Sequence, residues 1–273
     1  MVLRSIILVF ILSMSFPLKA FSAPQAKECT VLFSALSLTE TGFQFVLKLI
    51  SGEYVQAKKI ISKYRKQTIN EVDELGPSEK DTLERHWSAL YLGDIINTPL
   101  SALVTLNKLI PFKPGDRLID IGSGHGHPIL VLGALNHQAE FLGYEIVEAK
   151  VQEISNNVQS MGLDNVNIKR QDLSAADFKI PEADYYFIYN PVNFDTLENI
   201  ILQIKVHSSK KSIKVIVFGK DGWDKYILEK HGFIITNNRD YVWDQERRNF
   251  IPTPESLPFA ENELSIFELP QTN

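Results

Sequence analysis

Five residues, Gly122-Ser123-Gly124-His125-Gly126, constrain this chain more than any others. They follow the apolar run Arg117-Leu118-Ile119-Asp120-Ile121 and precede a helix-compatible segment from Pro128 to Asn136. A strand, a glycine turn and a helix in that order build a nucleotide-handling site. Glycines reach positive φ and let a ligand approach the backbone with no Cβ in the way, and the following helix offers unpaired N–H groups to electron-rich atoms. Spacing narrows the ligand. A dinucleotide fingerprint needs G-x-G-x-x-G, and here the third glycine comes one residue early, with His127 in the dinucleotide position.

Three more positions extend the pattern. The run Phe141-Leu142-Gly143-Tyr144 ends in Glu145, a carboxylate able to accept hydrogen bonds from both hydroxyls of a ribose. A helical segment from Val147 to Met161, closed by Gly162, leads to the strand Val166 to Lys169 and then to Gln171-Asp172-Leu173. Tyr185 to Tyr189 reads as a buried fourth strand opening onto Asn190-Pro191-Val192-Asn193-Phe194.

Asp120 with its G-x-G-x-G turn resembles motif I of the class I S-adenosylmethionine (SAM)-dependent methyltransferases, and the later positions fall where that family keeps its other motifs. The resemblance implies an α/β fold, a seven-stranded and mostly parallel sheet flanked by helices, with the last strand antiparallel. It implies SAM as cofactor, bound by Asp120, Gly122, Ser123, Gly124, Gly126, Glu145, Asp172, Leu173 and Asn190. Glu145 would take the ribose, Asp172 the adenine amino group, and Asn190 would contact the reacting region as the catalytic residue. Amino-methylating members carry Asn or Asp, Pro, Pro and an aromatic residue; this chain keeps Asn190 and Pro191 but has Val192 and Asn193 before Phe194, so amine methylation is permitted by the residues without being selected. Asn190 also reads as a simple turn residue. A narrower similarity, from Asp120 to Lys150, is to non-SET protein lysine methyltransferases and implies a protein lysine as acceptor. A small-molecule acceptor and a non-catalytic binding module on the same fold stay open.

His125 and His127 sit on the turn without further ligands at a recognisable spacing, so no metal is expected there. The remaining segments fill in the fold. Phe43 to Ile50, Tyr54 to Glu74 and Asp81 to Ile96 carry apolar residues at helical spacing, and Thr98-Pro99 is expected to cap a helix running to Ile110. Asp195 with Glu198 suggests a capping box for a helix to about His207. Ser212 to Phe218, a strand beginning at Phe233 and Leu264 to Leu269 complete the sheet. The stretch Asn237 to Glu263 is read as a long connection that either recognises substrate or packs on the sheet edge.

The chain begins differently. Arg4 precedes twelve residues, Ser5 to Phe16, rich in apolar side chains, followed by Pro17 and the small-residue stretch Ala20 to Ala23, the layout of a secretory signal peptide. The run is shorter than the ~18 residues a spanning helix needs. The organisation read from sequence is thus a signal peptide at 1–23, a helical extension or lid at 24–110 and a SAM-binding domain at 111–273. The signal directs the chain to the periplasm or outside, a host cell included; unused, it leaves the chain in the cytoplasm. Cys29 is the single cysteine and cannot form an internal disulfide. Without Arg4 and Lys19 the net charge of −5 becomes −7. Such a balance argues against phosphate-rich partners, so nucleic acid is expected to be an unlikely substrate, and Lys58, Lys59, Lys63, Arg65 and Lys66 are read as the wet face of a helix.

Overall fold

In the computed structural model, which describes residues 38–65, 97–219, 223–244, 249–252 and 262–271, the parallel part of the sheet is built as expected. Strand β1 (Arg117–Ile121) lies between β2 (Glu140–Glu145) and β4 (Tyr185–Ile188), with β3 (Val166–Arg170) outside β2 and β5 (Ile213–Phe218) outside β4, all parallel. Apart from the edge strand β3, whose sequence alternates and is largely exposed, these strands read as near-continuous apolar runs because helices cover both faces. After β1 the chain winds outward through β2 to β3, then returns to the other side of β1 as β4. Strand order therefore reverses between β1 and β4, and the crevice beyond their carboxyl ends is the natural binding position.

The second half of the sheet is antiparallel. It adds β6 (Ile234–Asp244), β7 (Asn249–Pro252) and β8 (Asn262–Leu269), giving the order β3-β2-β1-β4-β5-β8-β6-β7. The last strand, β8, runs antiparallel between β5 and β6. Among the described residues the sheet thus has eight strands, one more than the seven expected. In the described part of what looked like a long connection, β6 continues past an irregularity at Ile235 to Asn237 as far as Asp244 and pairs with β7. Asn237, Asn238 and Arg239 disguise this strand by composition. All three are exposed, so their polarity costs nothing there.

Helices divide between the two faces. On one, α1 (Glu40–Ile50), α2 (Tyr54–Ile61), α3 (Leu100–Leu109), α4 (His127–Leu135) and α5 (Glu148–Met161) share a core with Leu118, Phe141, Tyr185, Phe187 and Ile216. On the other, α6 (Phe194–His207) and α7 (Trp223–Lys230) pack on Ile119, Ile121, Tyr186, Ile188 and Val217. Alternation along β1 places Asp120 on the same face as Leu118, under α4.

Three helix boundaries differ from expectation for local reasons. Asn157 on α5 donates through Nδ2 to the Ile61 carbonyl at 2.8 Å, where α2 ends, and residues 62–65 are not helical; the rest of the helix expected to Glu74 lies outside the described residues. Pro99 rather than Thr98 is the N-cap of α3, with no side-chain cap. The cap of α6 is Asn193, whose Oδ1 accepts from the Thr196 N–H at 3.0 Å, while Glu198 instead pairs with Lys230 and His231. No helix among the described residues is long and apolar enough to cross a membrane. The expected signal peptide at 1–23, Cys29 and the helix at 81–96 lie outside the described residues.

Candidate cofactor and active site

The glycine turn is held by hydrogen bonds that leave little freedom. Ser123 donates its N–H to the Tyr144 carbonyl at 2.8 Å and its hydroxyl to the Asp120 carbonyl at 3.3 Å, while its own carbonyl accepts from the Gly126 N–H at 2.7 Å. Ser123 therefore braces the turn. Gly122 and Gly124 are there for different reasons. Gly122, at φ +73°, passes so close to the loop after β4 that a Cβ would lie 2.5 Å from the Pro191 Cβ. Gly124, at φ +54°, faces open space, so any side chain there would fill the cradle and adopt a strained backbone.

Glu145, only 7% exposed, closes the turn from the next strand. Its Oε2 accepts from the Gly124 N–H at 2.8 Å, and its Oε1 accepts from the N–H groups of Ile146 and Val147, each at 2.9 Å. A carboxylate offers about four acceptor positions, so one remains, on Oε2. Gln171 donates its N–H to the Glu145 carbonyl at 2.9 Å, which brings the loop carrying Asp172 alongside. Asp172 is half-buried, and its Oδ1 accepts from the N–H and hydroxyl of Ser174. Leu173 turns its side chain into the second core, so only its backbone is available to a ligand.

Beneath the turn lies a cleft lined in part by Asp120, Gly122, Gly124, His127, Thr98 and Tyr189. Asp120 is 2% exposed, and its Oδ2 has no hydrogen-bond partner among the described residues. Burial pushes its carboxyl up to about 8, against the Ser123 hydroxyl and helped by the charge of Glu145. His127 donates from Nδ1 to the Thr98 carbonyl at 3.0 Å, tying the segment before α3 to the first residue of α4. Burial lowers its pKa to about 3, so the ring is neutral.

His125 points elsewhere. Its Nδ1 is 2.9 Å from Glu153 Oε2, and Arg65 Nε lies 3.4 Å from Glu153 Oε1. Arg65 thus turns inward from the basic segment, whose Lys58, Lys59 and Lys63 are exposed. Arg65 is therefore not on the wet face where the sequence reading put it, and Glu153 escaped that reading, although it sits with Asn157 and Met161 on the buried face of α5 at helical spacing. A charged residue on that stripe was the available signal.

On the far side of β1, Asn190 lies two residues past the end of β4 with φ +45°, the one non-glycine residue in the left-handed region among the described residues. Its N–H donates to Asp224 Oδ2 at 3.5 Å. Asp224, 5% exposed at the start of α7, is a second residue the sequence reading missed, and burial raises its pKa. Beside it, Trp223 meets Phe194 edge-on at 5.7 Å and is 62% exposed, and Tyr226 is 60% exposed.

Residues 112–221 match a family model described as a methyltransferase domain. This stretch is a class I SAM-dependent methyltransferase domain. Over 91 residues the chain is 34% identical to the ribosomal RNA small subunit methyltransferase G of Porphyromonas gingivalis, a match covering 31% of this chain and 41% of that protein. The chain thus matches less than half the length of this curated relative. Precorrin-6y C5,15-methyltransferase from Geobacter metallireducens shares the fold, with a TM-score of 0.50 at 15% identity over 66% of this chain and 93% of that one.

SAM is the cofactor of such domains, and the methyltransferase site here fits it. Its sulfonium and ammonium are cationic, and the cleft presents a buried carboxyl with an unpartnered oxygen. The turn leaves a cradle at Gly124 that one Cβ would occupy, and Glu145 keeps one acceptor position at the end of β2.

Proposed function

We propose that the protein transfers a methyl group from SAM to a nitrogen or oxygen nucleophile entering beside Asn190. The observation that supports this most is the convergence, at the switch point of the sheet, of the open glycine cradle with Asp120 and Glu145 at successive strand ends. SAM brings an already activated methyl group. The protein's contribution is then positioning. Glu145 takes a ribose hydroxyl on Oε2, and taking the second hydroxyl means releasing the Gly124 N–H. Asp172 and the backbone of Leu173 border the adenine end. Asn190, held in the left-handed region, presents its side-chain carbonyl to an N–H or O–H of the acceptor, orienting the lone pair toward the methyl group.

The acceptor class is broader than the sequence reading made it. The expectation that nucleic acid is unlikely is not supported, because the curated relative is named for ribosomal RNA. Whole-chain charge is a poor guide here, since it counts residues remote from the cleft. Neither the cleft nor the Asn190 loop singles out lysine. RNA, small molecules and protein amines therefore belong in one screen. Calorimetric titration of wild-type protein and Glu145→Ala with SAM and with NAD tests the cofactor, followed by transfer of labelled methyl groups to those three pools. Micromolar SAM binding lost in the variant, with none for NAD, is expected; SAM binding without transfer to any pool favours a binding module instead.

A further inference from the structure

His127 is a residue that the glycine-turn pattern does not explain. It follows the third glycine, where the helix begins, and it is 3% exposed. Its Nδ1 faces the Thr98 carbonyl, which can only accept, so Nδ1 carries the ring proton. The neutral ring then has a bare lone pair on Nε2. That atom is buried and has no hydrogen-bond partner among the described residues, although the residue lines the cleft with Asp120. Leaving a buried acceptor unpaired costs about 1–3 kcal/mol, so a cleft lined by this nitrogen and by a carboxyl with an unpartnered oxygen suits a donor that arrives with the ligand.

Resting on the SAM reading above, we propose that Nε2 of His127 accepts a hydrogen bond from the ammonium group at the aminoacyl end of SAM, next to Asp120. The assignment follows from what each part of the molecule can offer. A lone pair beside a carboxyl group repels the aminoacyl carboxylate and selects an N–H donor. The sulfonium has no N–H, the ribose hydroxyls are met at Glu145 and the adenine amino group at Asp172, which leaves the ammonium. Lys150 lines the same cleft and is the group of suitable sign for the adjoining carboxylate. His127 is thus a binding residue that also ties the Thr98 segment to the cofactor.

His127→Asn tests this, since its amide can still donate to the Thr98 carbonyl but has nothing at the Nε2 position. The probes are S-adenosylhomocysteine, which keeps the ammonium, and 5′-methylthioadenosine, which lacks the whole aminoacyl end. Calorimetry should show affinity for the first falling about 10- to 100-fold, as for hydrogen bonds to charged groups, with the second unchanged. His127→Gln, which restores a polar atom near Nε2, should recover most of the loss. Equal weakening of both probes, or S-adenosylhomocysteine bound as in wild type, overturns the assignment. Wild-type protein that binds neither probe overturns the cofactor reading itself, a result distinct from either.

Discussion

The two sides of the switch point are built differently. On the β1–β2 side every turn is tied: Ser123, Gly124 and Gly126 hydrogen-bond to the backbone or to Glu145, and Asp120, Glu145 and His127 are all buried. On the β4–β5 side, Asn190 is held by one long hydrogen bond to Asp224, and the aromatic rings of Trp223 and Tyr226 stand in solvent. A cofactor that never changes can be met by a rigid, preorganised cradle, which lowers the ordering cost of binding. The side proposed to receive the acceptor has the opposite character, with exposed apolar surface.

Gly122→Ala should break that contrast most severely. A Cβ 2.5 Å from Pro191 at φ +73° adds overpacking to backbone strain, and it forces the tied side against the loose one. Destabilisation of about 2–5 kcal/mol is expected, read by denaturant unfolding, with loss of SAM binding.

A smaller effect sharpens the electrostatic half of the comparison. Asp120 ionises near 3.8 when unfolded and near 8 when folded, so between those values the native state holds the extra proton and stability falls as pH rises. A cation placed beside the carboxyl reverses this by favouring the charged form. Binding of SAM at pH 7 should therefore release close to one proton, seen as a dependence of the calorimetric enthalpy on buffer ionisation, and Asp120→Asn should abolish it. His127, at about 3, stays neutral throughout and contributes nothing to that proton count.

The smallest effect on the fold is expected on the open side. Trp223→Ala removes a ring that is mostly in water, so stability should change by less than about 1 kcal/mol. SAM affinity should hold, while KM for the methyl acceptor rises. An unchanged KM with weakened SAM binding would place the aromatic patch in the wrong half of the site.

Much of this site is legible in one dimension because it is made of backbone turns. Glycine at 122 is demanded by φ and by close approach and at 124 by φ, and Glu145 marks the end of an apolar run that reveals itself by composition. The same reading failed where competing local signals were equal. Asp195 and Asn193 are equally good caps and Thr98 competes with the adjoining Pro99, and tertiary contacts decided: the Thr98 carbonyl serves His127, and Glu198 is drawn to Lys230 and His231. The polar run from Asn237 hid a strand because an exposed stretch of strand has no need of apolar residues.

By itself, then, the sequence determined the succession of the five parallel strands along the chain, the glycine cradle and the carboxylate of Glu145 that closes it, since each depends on residues adjacent along the chain. Only the tertiary structure decided which buried groups were left without partners. Asp120 and His127 are seven residues apart on a turn, and nothing local says that one nitrogen finds the Thr98 carbonyl while the other faces a cleft. Asp224 meets Asn190 across 34 residues, and Arg65 reaches Glu153 across 88. Such pairings form because burying a polar group without a partner is costly, and the partner is chosen by packing in three dimensions.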